Sequence, residues 1–418
     1  PEHTHVAPEI REHGVPRRIR QPLRSGGASA EIHPAQLVAD AVAGDEGHAG
    51  DDGRDAPRAW VWGALRWGFR READWIAQSC VGDPHAPAQP DDAERAALHE
   101  ETPASRLEGA PAPVRGDYPD WLDASMARMF GDARAEEGAA LAAPAPLDLR
   151  VNTLKTTREE IIAALGESPR LKGPPAPTPF APHGVRIPWS QGRTFPWALE
   201  PSFLKGGYEV QDEGSQLAAV MSGAAPGMQA ADVCAGGGGK TLALAALMRN
   251  KGQIYAFDVD GRRLAPLHER LERAGARNVQ IRAPLRTRDV LGDLRAAMDV
   301  VFVDAPCSGS GTWRRNPDSK WRLRPNALAM RQGEQREALA LAAPLVKPGG
   351  RLIYVTCSVL PEENEDQVAA FLAAYPSFAP VGLAGPPVPA HARGAAIQMT
   401  PLKTGCDGFF VAALRREA

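Results

Sequence analysis

The sequence predicts an α/β protein whose largest part is a doubly wound parallel sheet, and three features indicate this fold. Strand-like and helix-like segments alternate from Tyr208 to about residue 375. Residues 299–303 and 351–355 are short apolar runs without helical period, as buried strands are. Residues 229–233 lead into a run of glycines, which is typical of a strand-to-helix turn. Because such sheets bind ligands beyond the carboxyl ends of their strands, we expect the functional site there.

Composition limits the class of protein. The 418 residues leave room for two or three domains. The five cysteines are too scattered for a disulfide framework, which indicates a reducing, cytoplasmic setting. The longest apolar stretches, such as residues 242–248, are too short to span a membrane, so we expect a soluble protein. A net charge of -3 does not decide on nucleic acid, because a phosphate backbone responds to a local basic patch.

The N-terminal third divides into two parts. Residues 1–30 carry three histidines and several arginines with few large apolar residues, which predicts a disordered basic arm. The histidines are irregularly spaced and have no cysteine beside them, so a metal site is not favoured. Residues 31–143 show helical stripes around 34–80 and 121–130, joined by a Pro/Ala-rich linker at 83–119. We therefore expect an all-helical N-terminal module.

Residues 144–205 are predicted to form a small α/β subdomain. Residues 147–152 alternate as a strand does, and residues 184–187 form a second strand. Thr157 and Glu160 have the spacing of a capping box before a helix. The last section, residues 206–418, begins with the strand 208–210 and holds the large sheet.

A glycine-rich turn follows the first strand of the large sheet. It reads Cys234-Ala235-Gly236-Gly237-Gly238-Gly239-Lys240-Thr241 and leads into a helical segment. It is not a P-loop, because Cys234 stands where that motif needs glycine. It is not a dinucleotide fingerprint either, since no third glycine stands at positions 241–243. The turn nevertheless lets a ligand approach the backbone and the start of the helix.

An acidic residue completes this candidate cofactor site. Asp258 ends the second strand, residues 253–257, where a carboxylate can accept from both hydroxyls of a ribose. Asp260 is the alternative partner, but it is better placed to begin the next helix. A glycine turn with such an acid suits an adenosine cofactor without a pyrophosphate, and S-adenosylmethionine is the natural candidate.

Two cysteines end the apolar runs of two neighbouring strands. Cys307 lies in Asp304-Ala305-Pro306-Cys307-Ser308-Gly309, and Cys357 lies in Thr356-Cys357-Ser358. A cysteine in such a place can be a small core residue. Here the Ser, Gly, Pro and Asp neighbours predict turns instead, so we expect both thiols at the ligand-binding edge.

The chemistry that suits two thiols at this edge is methylation of a pyrimidine. A thiolate that adds to carbon 6 of a cytosine makes carbon 5 nucleophilic, and a second thiol can assist the later release. Asp304 could accept from the exocyclic amine of cytosine, which would favour cytosine over uracil. The alternative role of Asp304 is to cap the turn.

The segment after Cys307, residues 313–324, combines five basic residues with one acid and two tryptophans. This pattern suits phosphate contact and base stacking, and the alternative is a solvated loop with core tryptophans. The predicted RNA contacts are Arg314, Arg315, Lys320, Trp321 and Arg322. A target carbon inside stacked RNA is out of reach, so the substrate base must be unpaired or flipped out.

These motifs resemble the Sun/RsmB/NSUN family of RNA 5-methylcytosine methyltransferases. The similarity lies in residues 232–241, 304–311, 356–365 and 407–410, extends to 149–153 and 210–215, and covers roughly residues 120–416. It implies that Cys357 is the nucleophile and that Cys307 assists product release. It also implies a Rossmann-like methyltransferase domain behind an RRM-like subdomain at about 145–205, and an N-terminal module that is loosely NusB-like.

The chain departs from the family pattern at two places. The family usually has Ala-Pro where this chain has Gly236-Gly237. It usually has an acid near the adenine after the third strand, where this chain has Ala283-Pro284, with Asp289 as the nearest carboxylate.

The prediction is a monomeric S-adenosylmethionine-dependent RNA cytosine-5 methyltransferase without a metal, acting on 16S rRNA. The expected catalytic residues are Cys357, Cys307, Asp304 and Lys240. The expected cofactor contacts are residues 234–240, Asp258 and Asp304. Two alternatives remain: a tRNA methyltransferase of the same chemistry, and an RNA-binding ribosome-assembly factor that has lost activity.

Overall fold

The structure is a computed structural model that describes residues 110–285 and 287–417. The predicted basic arm at 1–30 and the helical stripes at 34–80 lie outside the described residues. The described end of the predicted helical module consists of α1 (Ala112–Gly116), α2 (Asp123–Phe130) and α3 (Arg134–Ala142). Within the described ranges, no helix is both long and apolar enough to cross a membrane.

Helices α2 and α3 support the loops that follow the large sheet. Leu122, Met126 and Leu141 are fully buried, and they pack in one apolar cluster with Trp313 and Leu360. Trp313 follows the Cys307 loop, and Leu360 follows the Cys357 loop. The helical segment therefore stabilises the chain on both sides of the predicted thiol site.

A small antiparallel sheet follows the helices. It contains β1 (Leu147–Val151), β2 (Ala176–Pro177), β3 (Gly184–Ile187) and β4 (Tyr208–Val210) in the order β2-β3-β1-β4. Helix α4 (Arg158–Gly166) packs on it, and the predicted capping box of Thr157 and Glu160 is present. Two short helices complete this part: α5 (Trp189–Gly192) and α6 (Pro201–Leu204).

One strand lies in a different sheet from the one predicted. We expected residues 208–210 to open the large sheet, but β4 pairs antiparallel with β1, with Leu149 opposite Val210. The reason is that Tyr208 is fully buried in the core of the small sheet, against Phe203 and the neighbouring apolar side chains.

The large sheet has nine strands in the described region. Five are parallel, in the order β9-β8-β5-β6-β7, and antiparallel strands extend the β9 edge. The strands are β5 (Gln229–Asp232), β6 (Gln253–Phe257), β7 (Val279–Arg282), β8 (Met298–Asp304), β9 (Val346–Thr356), β10 (Phe378–Val381), β11 (His391–Arg393), β12 (Ala396–Met399) and β13 (Phe409–Arg416). The predicted parallel sheet is confirmed, but the antiparallel extension after residue 375 was not predicted.

Apolar clusters cover both faces of this sheet. One cluster includes residues of α7 (Glu213–Met221) and α8 (Gly239–Leu247), and the other includes residues of α11 (Pro325–Ala342) and α12 (Glu365–Ala374). The remaining helices are α9 (Ala265–Ala274), α10 (Ser319–Arg322) and α13 (Pro401–Thr404). With helices on both faces, the polar loops at the carboxyl ends of β5, β6, β8 and β9 are left to form the site.

Candidate active site

The two predicted cysteines meet at the carboxyl edge of the sheet. Strands β8 and β9 are parallel neighbours, with Asp304 opposite Val355. Their ends carry Cys307 and Cys357 to one point, where the two Sγ atoms are 3.3 Å apart. Both thiols are partly exposed, so a substrate can reach them.

A buried carboxylate joins the two cysteine loops. Glu363 has no exposed surface, and its Oε2 atom accepts hydrogen bonds from the hydroxyls of Ser308 and Ser358, both at 2.5 Å. Its Oε1 atom accepts from the backbone N–H of Ser308 at 2.7 Å and from Gln335 at 3.0 Å. Each serine directly follows one of the cysteines. The carboxylate therefore fixes the positions of the two cysteine loops relative to each other.

Glu363 was not among the predicted site residues. The sequence signal was the acidic segment after Cys357, which we used only for the family resemblance. Its partner Ser308 lies 55 positions away, so the contact depends on the fold rather than on a local pattern.

The surroundings of Cys307 favour the protonated form of its thiol. The hydrogen bond with Cys357, burial and the nearby charge of Glu363 raise the pKa of the Cys307 thiol well above its ordinary value. Cys307 therefore holds its proton more tightly than an ordinary thiol does. A protonated Cys307 is what the role in product release, implied by the family resemblance, requires.

Lys240 and Asp304 form an ion pair in the same neighbourhood. The Lys240 Nζ atom lies 2.6 Å from Asp304 Oδ2. Burial works against the charge of Lys240, but the carboxylate of Asp304 outweighs it and raises the pKa of the ammonium group, with a smaller effect from Cys357. Asp304 is 31% exposed, so one side of its carboxyl group is open to a ligand. The structure thus brings together Cys307, Cys357, Lys240 and Asp304.

The glycine-rich turn has the conformation that its residues suggested. Gly236 has φ 49° and Gly238 has φ 85°, in the left-handed region that favours glycine. A Cβ atom at Gly238 would lie 2.1 Å from a methyl group of Leu267, so a larger residue would have to displace that side chain as well as strain the backbone. Gly236 donates its N–H to Asp258 at 3.0 Å, which ties the turn to the end of β6.

Asp258 lies where it was predicted, but it is enclosed. Its carboxylate is buried and accepts from the N–H groups of Gly236 and Asp260. Arg263 pairs with it at 3.0 Å, and that side chain is 57% exposed. Asp260 caps the turn that leads into α9 by accepting from Arg262, so the expectation that it begins the helix is confirmed. Ribose recognition by Asp258 stays a prediction.

The loop after β7 contains the departure from the family pattern. Pro284 lies 3.1 Å from the position of a Cβ at Gly261, so this loop packs against the turn that follows β6. Asp289 is exposed, accepts from the N–H of Leu291 at 3.0 Å and lies near Arg295. Its carboxylate therefore stabilises its own loop.

The expected RNA contacts divide into two groups, and the prediction is wrong for Arg314 and Lys320. Arg314 is 4% exposed and donates to Asp407 at 2.5 Å, while Lys320 is buried and pairs with Asp117. These charges are neutralised inside the protein and do not face solvent.

The other three residues remain accessible. Arg315 is 30% exposed and pairs with both Asp212 and Asp407, and Arg322 is 69% exposed. Trp321 is partly buried. An RNA contact by these residues stays a prediction. Asp212 and Asp407, which bind the arginines, were missed as site residues although both lie in segments of the family resemblance.

Comparison with known proteins gives consistent matches. The family model of 16S rRNA methyltransferase RsmB/F matches residues 224–415, and a model of the RsmF/B-like ferredoxin-like domain matches residues 118–189. The chain is 35% identical over 303 residues to a probable ribosomal RNA small subunit methyltransferase B of Synechocystis, covering 72% of this chain and 67% of that protein. It is 33% identical over 310 residues to ribosomal RNA small subunit methyltransferase B of Thermus thermophilus, covering 73% and 67%.

Solved structures agree with these matches. A methyltransferase homologue from Pyrococcus horikoshii is 30% identical, with a TM-score of 0.60 over 73% of this chain and 97% of that one. The structure of PH0851 is 29% identical, with a TM-score of 0.68 over 91% and 86%.

Proposed function

This chain belongs to the RsmB/F family of rRNA methyltransferases, which use S-adenosylmethionine, and we propose that it methylates carbon 5 of a cytosine in 16S rRNA through a covalent adduct. The observation that carries the proposal is the pair of thiols 3.3 Å apart at the carboxyl ends of β8 and β9. A binding protein has no need of two such thiols at a ligand-binding edge. Nucleophilic catalysis on a pyrimidine uses both.

In the proposed reaction Cys357 is the nucleophile. Its thiolate forms a bond to carbon 6 of the cytosine, and the electron pair of the 5,6 double bond becomes available at carbon 5. Carbon 5 takes the methyl group from the sulfonium sulfur, which keeps the electron pair of the broken bond. A base then removes the proton from carbon 5, the electron pair of that bond re-forms the 5,6 double bond, and the bond between carbon 6 and the Cys357 sulfur breaks. The protonated neighbour Cys307, whose pKa is raised by its contact with Cys357, can give its proton to the departing sulfur.

Asp304 and Lys240 are proposed to orient the base. The partly exposed Asp304 carboxylate is an acceptor for the exocyclic amine of cytosine, and Lys240 fixes its position through the 2.6 Å ion pair. Uracil has a carbonyl oxygen in place of that amine, and the Asp304 carboxylate would repel it. The pair therefore supports a preference for cytosine.

S-adenosylmethionine supplies an electrophilic methyl group on a sulfonium. The residues proposed to hold it are 234–240, Asp258 and Asp304. The left-handed Gly236 and Gly238 keep the turn free of side chains next to the first N–H groups of α8, which fits an approaching cofactor. An acid at the end of the second strand is the usual ribose acceptor in such folds, which supports Asp258 in that role, and its partner Arg263 is 57% exposed.

The test is the transfer of a labelled methyl group from S-adenosylmethionine to purified RNA, followed by nucleoside analysis. We expect 5-methylcytosine in small-subunit rRNA or immature small subunits. Label in tRNA alone would favour the tRNA enzyme of the same chemistry. No transfer to any RNA, together with no binding of S-adenosylmethionine in a calorimetric titration, would favour the binding factor and point to Gly236-Gly237 as the cause.

A further inference from the structure

A second cleft lies beside α8, away from the two cysteines. Its volume is about 590 Å³, which is the size of a small-molecule or nucleotide site. Strand β1 and its following turn, the loop before β3, and helices α7 and α8 form its walls. It thus lies where the small sheet meets the methyltransferase domain.

The cleft is lined by basic side chains. Arg150, Arg249 and Arg277 line it together with His183, and its lining includes no Asp or Glu. Arg249 and Arg277 are exposed, and among the described residues neither has a carboxylate within ion-pair distance. Burial and the cations Arg158 and Arg150 lower the pKa of His183, although Glu159 lies nearby and opposes this. The ligand that such a surface attracts is an anion.

The other lining residues fit a ligand that carries further groups besides an anion. Gln216 is 3% exposed, and its Oε1 atom is buried without a hydrogen-bond partner, while its Nε2 atom donates to the carbonyl of Gln211. A free buried acceptor calls for a donor such as an amine or a ribose hydroxyl. Leu247 and neighbouring alanines and valines supply an apolar wall, on which a base can lie. Phosphate, a polar donor and a flat apolar ring together describe a nucleotide.

We propose that this cleft binds a nucleotide of the substrate RNA that is outside the methylated position. The proposal rests on the proposed function for the identity of the RNA. Arg150 donates to the carbonyl of Gly239, the first residue of α8, and Arg249 follows the end of that helix. Nine helical residues span about 13 Å, and the cleft lies along the second half of α8, so this helix leads from the cofactor turn to the cleft. A strand that enters the thiol site can continue along this path.

The backbone at the end of α8 places Arg249 next to the segment that carries Arg277. Arg249 and Asn250 both have left-handed backbone, with φ 50° and 56°. This conformation is unfavourable for an arginine, whereas asparagine adopts it more readily than most residues. Asn250 is held there by hydrogen bonds with the carbonyl of Gly275 and the N–H of Arg277, so the backbone segments that carry Arg249 and Arg277 are tied together.

The test measures RNA binding by fluorescence anisotropy, without catalysis, at several salt concentrations. The probe is a labelled fragment of small-subunit rRNA, and the variant carries Arg249→Gln and Arg277→Gln. Loss of two phosphate contacts to a single strand is expected to weaken binding about tenfold and to reduce the salt slope by about 1.4. Both substituted side chains are exposed, so the fold should persist. The control carries Arg336→Gln and Arg415→Gln, two exposed arginines outside the cleft.

A salt slope and affinity equal to those of the control would overturn the proposal. Binding of adenosine monophosphate that depends on the two arginines, with unchanged RNA affinity, would assign the cleft to a free nucleotide and would also overturn it. Because binding is measured directly, absence of methyl transfer by the unaltered protein would count against the proposed function and not against the cleft.

Discussion

The Sγ atoms of Cys307 and Cys357 lie 3.3 Å apart although 50 positions separate the residues in the chain. Parallel pairing of β8 and β9 produces this approach, because β8 ends three residues before Cys307 and β9 ends directly before Cys357. The hydrogen bond with Cys357, burial and the charge of Glu363 raise the pKa of the Cys307 thiol. The proposed roles of the two sulfurs differ accordingly, with Cys357 as the nucleophile and Cys307 as the proton donor.

The first prediction concerns that difference. Cys357→Ala should abolish methyl transfer and the covalent adduct, because the raised pKa of the neighbouring Cys307 thiol makes it a poor replacement nucleophile. Cys307→Ala should leave a trapped protein–RNA complex, because release loses its proton donor. Denaturing gel electrophoresis with labelled RNA and S-adenosylmethionine measures both. A trapped complex in the Cys357 variant and none in the Cys307 variant would contradict the assignment.

The second prediction concerns Glu363. Glu363→Gln should lower kcat by roughly tenfold to a hundredfold, because the carboxylate fixes both cysteine loops and small displacements are costly in catalysis. It should also speed the alkylation of Cys307 by iodoacetamide near neutral pH. The reason is that the charge of Glu363 contributes to the raised pKa of that thiol.

Mass spectrometry of the alkylated peptides separates this effect from a general loss of structure. The matched control is Glu362→Gln, because Glu362 contacts Ser125 and Arg128 rather than a cysteine loop. If both variants alkylate Cys307 at the rate of the unaltered protein, Glu363 does not influence the thiol.

Local patterns were sufficient to predict the sheet and the position of the cysteines. An apolar run that ends in turn-forming residues identifies both the strand and its carboxyl end, and those ends converge in any parallel sheet. The same reasoning located Asp258 and the glycine turn. These features depend on neighbours within a few positions.

The errors have a common physical cause, which is pairing between distant segments. The sequence pattern of residues 208–210 identifies a strand but not its partner, and β4 pairs with β1 about 60 positions earlier rather than with the large sheet. Arg314 carries a charge that looked available to RNA, but Asp407 neutralises it from 93 positions away. A count of basic residues cannot reveal such a partner.

The third prediction follows from that buried arginine. Arg314→Ala should lower the free energy of unfolding by about 3 kcal/mol, because Asp407 and Asp212 remain buried with fewer compensating charges. Chemical denaturation measures this change. Arg322→Ala is the control, since that side chain is 69% exposed and its loss should change stability by less than about 0.5 kcal/mol.

For RNA affinity we expect the opposite ranking, with a larger effect in the Arg322 variant than in the Arg314 variant. Arg322→Ala is expected to weaken RNA binding modestly and to reduce its salt dependence, while the folded fraction of the Arg314 variant should bind as the unaltered protein does. A weaker intrinsic affinity in folded Arg314→Ala would restore that residue as an RNA contact.

The last prediction concerns the dependence of stability on pH. Asp232 is fully buried, accepts from Thr241 through one oxygen and has no hydrogen-bond partner for the other. Burial raises its pKa to about 7, whereas an unfolded aspartate has a pKa of about 3.9. Between pH 4 and 7 the folded state thus holds a proton that the unfolded state releases, so this group's contribution to stability falls as pH rises and is level above pH 7.

Asp232→Asn should remove this contribution, because the amide stays neutral at every pH and can still accept from Thr241. The free energy of unfolding of the variant should therefore fall less as pH rises, so that the variant gains roughly 3 kcal/mol relative to the unaltered protein between pH 5 and 8. Denaturant titrations at pH 5, 6, 7 and 8 measure it. Asp260→Asn is the control, because that carboxylate is at the surface and its arginine partner lowers its pKa. Parallel pH curves for Asp232→Asn and the unaltered protein would mean that Asp232 is already ionised at pH 5, with a charge stabilised inside the fold.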